Sequence, residues 1–143
     1  MTTWSVPYVG LPWQEKGDTP AGVSCWGLAC LVFREVAGIT LPTFADAFVS
    51  SAERAEIDAI IKGTRIAWPW GPVVAGGERD LDIAVFRRAG LITHVGIICG
   101  QGRMLHVSSG QDSVIVDYRS GRWAPRLAGI YRHVTMTEAA RAA

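Results

Sequence analysis

From residue 82 onward the chain reads as a series of short β-type runs, and this constrains its fold more than any other feature. Residues 82–88, 94–99, 103–107, 113–118 and 127–134 are rich in apolar and β-branched side chains, and Gly100-Gln101-Gly102 marks a turn between the second and the third. Such runs, separated by glycine-containing turns at short spacing, predict an antiparallel meander of about five strands. Upstream the pattern differs. Residues 25–37, Cys-Trp-Gly-Leu-Ala-Cys-Leu-Val-Phe-Arg-Glu-Val-Ala, read as a buried helix with Gly38 as its terminator and Pro42 forbidding continuation. A second helix is predicted over residues 52–62, where Ser50 and Glu53 fit a capping box and Gly63 follows as a stop. Residues 1–24 read as loop and turn. So do residues 64–80, with Trp68-Pro69-Trp70-Gly71-Pro72 and Gly76-Gly77; they form either a surface arm that shapes a groove or an aromatic-anchored connector. Helices first and strands later predict an α+β fold with the helices packed on one face of the sheet.

A chain of 143 residues, 49% of them hydrophobic, suits one domain with one core, residues 136–143 being a flexible tail. The net charge is +1 and no lysine or arginine cluster stands out, which argues against a nucleic-acid partner and against attraction to acidic membranes. No apolar stretch approaches the roughly 20 residues of a membrane helix, so no membrane insertion is expected. Residues 1–7 lack the basic region and long apolar run of a signal peptide. The expectation is a chain made in the cytoplasm and carried outside, if at all, by something other than a Sec signal. Three cysteines, an odd number in such a chain, argue against a disulfide framework.

One of these thiols has a chemically distinctive place. Cys25 follows Gly22-Val23-Ser24 and opens the first predicted helix. The start of a helix carries partial positive charge and unpaired N–H groups, which favour thiolate over thiol and can stabilise an oxyanion formed beside it. Gly27, two residues on, leaves room for a substrate or a strand to approach. The alternative is that Cys25 is a small buried hydrophobe, as free cysteines usually are. Cys30 and Cys99 fit core positions.

A thiol hydrolase also needs an imidazole to take and return a proton. His94 begins the run His94-Val95-Gly96-Ile97-Ile98, where a glycine two positions on lets it face a groove. His106 lies across the Gly100-Gln101-Gly102 turn, so the two histidines fall on adjacent strands of one hairpin and can be near neighbours. His106 could then hold the ring of His94 in its working tautomer, the third-member role of a triad. Each histidine alone could equally be a hydrogen-bonded structural residue, and His133 shows no partner in the sequence. Zinc is disfavoured, because Cys25 and Cys30 point in different directions from a helix and lack the close turn-borne pairing of zinc cysteines. No metal or other cofactor is expected.

Taken in order, Tyr8-Val9-Gly10-Leu11-Pro12-Trp13, Gly22-Val23-Ser24-Cys25-Trp26-Gly27-Leu28, His94-Val95-Gly96-Ile97 and Met104-Leu105-His106-Val107 resemble the NlpC-type cell-wall cysteine peptidases, compact papain-like enzymes. The resemblance runs from Tyr8 to about Arg132. It implies Cys25 as nucleophile, His94 as base and His106 as orienter. The substrate it implies is the peptide stem of peptidoglycan, commonly at the bond from the γ-carboxyl of D-glutamate to meso-diaminopimelate. The Cys-Trp-Gly-Leu variant, with Lys16-Gly17 upstream, is similar to members encoded by tailed phages and gene transfer agents. That similarity implies a virion or particle-tail location, tail-tip or baseplate hub proteins as partners, and action in the target periplasm. Three features depart from the family pattern: Ser24 stands where many members carry aspartate, Trp26 where they often carry serine, and Glu15-Lys16-Gly17 where bacterial members often have Tyr-Gly-Gly. Trp13, Ser24 and Trp26 are the candidate substrate-binding residues; the tryptophans either wall a stem peptide or belong to the core. Two other readings stand beside this one: a lysis or intracellular amidase of the same chemistry, and a catalytically silent structural domain of a tail hub.

Overall fold

The computed structural model describes residues 3–41, 70–88 and 91–136. The predicted helix over residues 52–62 and the tail beyond residue 136 lie outside these. Helix α1, Cys25–Val32, starts where Ser24 Oγ accepts the Gly27 N–H at 2.9 Å, and buries Trp26 through Val32. A helix apolar on every side belongs inside a protein. The chain continues as a π-helical turn, Phe33–Ala37, and stops at Gly38 in the left-handed conformation, φ 69°. The sequence placed both ends of this helical segment correctly. The switch to a π turn coincides with the first exposed residues, Arg34 to Val36.

The loop-like N-terminal region is more ordered than expected. It holds a 3-10 turn, Thr3–Tyr8, and two short paired strands, β1 (Asp18–Thr19) and β2 (Gly22–Val23). Ser24 N–H donates to Gly17 O at 2.9 Å, and an ideal Cβ on Gly27 would stand 1.6 Å from that same oxygen. The room left by Gly27 is thus filled by the backbone at Gly17, not by a substrate or a sheet strand.

Among the described residues the main sheet has six strands, against the expected five or so: β3 (Trp70–Pro72), β4 (Ile83–Arg88), β5 (Leu91–Ile98), β6 (Arg103–His106), β7 (Val114–Asp117) and β8 (Leu127–His133). The extra strand, β3, falls in the stretch read as loop. Its three residues include Pro72, which is tolerated because β3 is the sheet's edge. The order is β3-β8-β4-β5-β6-β7, antiparallel throughout. The meander therefore covers β4 to β7 only. The last strand crosses back to pair with β4.

Strand alternation gives the sheet two apolar faces. Ile83, Val85, Val95, Ile97 and Leu105 join α1, Tyr8 and Trp70 in the larger core. Ala84, Phe86, Ile98 and Met104 meet Tyr118, Trp123 and Ile130 in a smaller one. The helix covers one face, as expected. The connection from β7 to β8 covers the other, which explains why β8 ends up beside β4. Acidic residues before β4 fasten the assembly. Glu78 accepts from Tyr118 Oη at 2.6 Å and Arg119 Nη2 at 2.9 Å, Asp80 from Trp4 Nε1 at 3.0 Å and the Gly100 N–H at 2.8 Å, and Asp82 from Arg132 Nε at 2.9 Å and Nη2 at 2.8 Å.

Candidate active site

The histidine pair forms as the hairpin predicts. Ile97 pairs with Leu105 and Ile98 with Met104; continuing that ladder sets Gly96 opposite His106, with His94 two residues further along the same face. His94 Nε2 and His106 Nδ1 are 3.0 Å apart, and the residues are 2% and 3% exposed. Gly96 serves this face differently from expectation. It does not open a groove: an ideal Cβ there would stand 2.3 Å from Met104 Sδ, so the glycine lets Met104 pack across the strand.

A residue that sequence reasoning missed completes the aromatic surroundings. Trp123 precedes the 3-10 turn Ala124–Arg126. Its ring stacks on His94 at 5.0 Å and 18°, and stands edge-on to His106 at 4.9 Å and 76°. Phe86, opposite His94 on β4, meets the same indole at 5.1 Å. The one local clue is a lone tryptophan in an otherwise polar Arg119-Ser120-Gly121-Arg122 connection, a composition in which a large ring usually serves as an anchor.

Cys25 is the first residue of α1, partly exposed, and packs at the margin of the larger core. Helix α1 packs against β5, the strand that carries His94. Val95, the next residue, belongs to the core that Cys25 borders, while His94 itself turns toward Trp123. The thiol and the imidazole pair are thus carried by adjoining elements. None of the three cysteines is joined in a disulfide. Cys30 and Cys99 are 1% and 3% exposed, in keeping with the core positions expected for them. Burial pushes the Cys99 thiol up to about 11; Asp80 adds to the effect and Arg103 opposes it.

Two of the three substrate-binding candidates have structural roles here. Trp26 is 1% exposed and stands edge-on to Trp70 at 6.5 Å, so it is core and offers no wall to a peptide. Ser24 is 2% exposed, and its hydroxyl caps α1. A hydroxyl accepts this amide hydrogen bond as a carboxylate would, so serine at this position caps the helix start as an aspartate would. Trp13 is half-buried, bridges to Val23 and stays near the surface. His133, unassigned from sequence, packs against Trp70 at 5.1 Å and accepts the Thr135 N–H at 3.2 Å. Burial lowers its pKa, which suits a structural residue. Among the described residues, no group of three or more His, Cys, Asp or Glu could hold a metal ion, and no helix is long and apolar enough to cross a membrane.

Comparison with known proteins bears on the chain's family and fold. The chain is 30% identical over 135 residues to the gamma-DL-glutamyl hydrolase of Bacillus subtilis, an alignment covering 91% of this chain and 28% of that protein. It is 25% identical over 117 residues to the murein DD-endopeptidase MepS/murein LD-carboxypeptidase of Escherichia coli, covering 82% of this chain and 53% of that one. The chain therefore spans between about a quarter and a half of these relatives. An NlpC/P60 family protein from Bacillus cereus superposes with a TM-score of 0.62 at 21% identity, over 89% of this chain and 37% of the other, and shares the α+β, papain-like fold. The NlpC/P60 family model matches residues 10–132, a span that includes Cys25, His94, His106 and Trp123, and the chain belongs to the NlpC/P60 family.

Proposed function

We propose that this chain is a cysteine hydrolase that cuts amide bonds in the peptide stems of peptidoglycan. The observation that carries the reading is the buried hydrogen bond between His94 and His106 on the sheet, with Cys25 opening the helix that packs against the same strand. Family membership and the names of the two relatives, one acting on γ-glutamyl bonds and one on murein, support both the chemistry and the substrate class.

In this mechanism the Nε2–H of His94 donates to His106 Nδ1, which leaves His94 Nδ1 to take the proton of the Cys25 thiol. The thiolate attacks the amide carbonyl carbon and the carbonyl π pair moves onto oxygen. The amides of Gly27 and Leu28 already donate to Ser24, so oxyanion donors from this helix must come from amides before Gly27. One such donor is worth about 3 kcal/mol where it has been measured. The tetrahedral intermediate collapses, the C–N bond breaks and the amine leaves with the proton from His94. Water, deprotonated by His94, then releases the acyl group as a carboxylic acid and returns the proton to sulfur.

The favoured bond joins the γ-carboxyl of D-glutamate to diaminopimelate, a reading supported by the γ-glutamyl specificity in the Bacillus relative's name. Purified sacculi incubated with the protein and analysed by mass should release fragments ending at D-glutamate. Fragments cut elsewhere, or none, would displace this assignment.

The setting we favour is a phage or phage-like particle tail, with hub proteins positioning the domain for entry through the wall. It rests on the likeness of the Cys25-Trp26-Gly27-Leu28 segment to tail-encoded members. Mass spectrometry of purified particles tests it: the polypeptide should copurify with tail proteins, and its absence refutes the placement. The silent-scaffold alternative draws on the altered residues Ser24 and Trp26. Their roles as helix cap and core weaken it, because neither change removes a reacting group.

A further inference from the structure

We propose that Trp123 is a positioning residue for the imidazole pair: its indole fixes the planes of both rings and shields the hydrogen bond between them from water. The proposal rests on the reading of His94 as the base, and it extends that reading to a residue whose chemistry takes no part in the proton transfer.

The two imidazoles meet through one contact of 3.0 Å with their planes at 87°. The bonded nitrogens lie off the Cβ–Cγ axes, so the bond aims each ring, but that torsion has broad minima in histidine and a somewhat bent bond still lets the ring rock. If His94 turns, its second nitrogen no longer points where a thiol proton must be collected. Packing on the ring faces narrows that swing, and Trp123 is in contact with both rings. Trp123 lies nearly parallel to His94, at 5.0 Å and 18°, and presents the edge-to-face geometry to His106, at 4.9 Å and 76°. Both arrangements are favourable aromatic geometries. One indole therefore sets two ring planes, and it does so across the bond that joins them.

Trp123 is itself held firmly enough to do this. It is 4% exposed, stands edge-on to Phe86 at 5.1 Å, and its carbonyl accepts the Arg126 N–H at 3.0 Å within the turn containing Pro125. The Arg122 guanidinium lies 5.1 Å from its ring centroid. Shielding follows from the same packing. A hydrogen bond inside a dry cluster is stronger than one that water can replace, and here the cover is the indole. The π face also offers electrostatic support to the cation that His94 becomes in each catalytic cycle, partly replacing the lost solvation.

The contrasting role is that of an apolar plug, in which any side chain of similar bulk would serve. Trp123→Leu and Trp123→Phe separate the two, since leucine fills volume without a flat face and phenylalanine keeps one. With soluble muropeptides released from sacculi as substrate, the leucine variant should lose roughly tenfold in kcat with KM changed less than twofold, and phenylalanine should restore most of the loss. The ¹⁵N shifts of the imidazoles give a readout that a plug would not move. In the unaltered protein each ring should report one tautomer, and the hydrogen-bonded Nε2–H proton should exchange slowly with water. In the leucine variant the shifts should move toward tautomer averages and the exchange should quicken. Equal behaviour of the leucine and phenylalanine variants, with single tautomers kept in both, would overturn the proposal. So would a fast-exchanging Nε2–H in the unaltered protein, a measurement that needs no variant to fold. If Cys25→Ala leaves hydrolysis intact, the base reading fails on its own account, while the imidazole spectra still decide whether Trp123 orders the pair.

Discussion

The His106 contact allows the catalytic reading to be tested quantitatively. In His106→Ala the partner of His94 Nε2 disappears, together with the edge contact that His106 makes with Trp123. His94 is 2% exposed, so surface solvent does not directly replace the lost partner. Leaving a buried polar group unsatisfied costs about 1–3 kcal/mol. If that cost falls on the orientation of the working tautomer, kcat drops by roughly 5- to 150-fold, at about 1.4 kcal/mol per decade. The loss should lie in kcat and not KM, because His106 touches His94 and has no assigned contact with substrate. Cys25→Ala should abolish turnover altogether, so the two variants must differ by orders of magnitude. His106→Gln, whose amide oxygen can accept from Nε2–H, should recover part of the rate. Steady-state kinetics on soluble muropeptides, with folding checked by thermal melts, decides the matter. A folded His106→Ala enzyme within twofold of the parent would refute the orienting role.

Further outcomes follow from the same contacts. Iodoacetamide at neutral pH should label Cys25 well before Cys30 and Cys99, since those two are buried and the Cys99 thiol is held near 11; equal labelling of all three, read by peptide mass mapping, would remove the case for an activated thiolate. Glu78 is held down to about 2 by the hydrogen bonds from Tyr118 and then Arg119, so its stabilising contribution is full above the ordinary carboxylate range near 4.5 and is lost as pH falls toward 2. Glu78→Gln should accordingly narrow its stability gap to the parent across that window, as acid titrations of the melting temperature would show. Asp82→Ala strands the guanidinium of Arg132, whose partner is 1% exposed, and should destabilise the fold by about 3–5 kcal/mol in urea titrations. Gly27→Ala drives a methyl into the Gly17 carbonyl and should prevent the first turn of α1 from docking, seen as loss of Cys25 labelling selectivity together with a lower melting temperature.

The parts of the fold that were legible in the sequence are those whose signal is local. Five strands were placed to within a few residues because short β-type runs are separated by glycine-containing turns. The first helix is bounded by its apolar run and by Gly38, a terminator visible in the chain, whereas the Ser24 cap shows only in the structure. The misses have a common cause. Strand β3 is three residues long and contains a glycine and a proline, so its own composition argues against it, and only pairing with β8 makes it a strand. The two-residue strands β1 and β2 are set by bonds such as Val23 N–H to Pro12 O and are too short to carry a period. The position of β8 beside β4 is a topological fact. A run of apolar residues states that a strand exists and says nothing of which neighbour it will find.

The site divides along the same line. Cys25, His94 and His106 could be singled out because each has a chemistry that sequence context modulates: a thiol at a helix start, and two imidazoles at mirrored places on one hairpin. The residues that hold them in place carry no such mark. Ser24, a candidate substrate contact from the sequence, is a helix cap, and Trp26, which the sequence left open between wall and core, is core. Trp123 carries no reactive group to single it out, yet its ring meets both histidines. The difference is physical. A reacting group is recognisable by its functional atoms, whereas a positioning group is defined by the partner it meets, and here that meeting depends on a connection folding back across the sheet. The departures at Ser24 and Trp26 follow the same logic. They change residues next to Cys25 in sequence whose side chains point into the structure, so they mark how this chain packs and caps its helix and leave Cys25, His94 and His106 themselves unchanged.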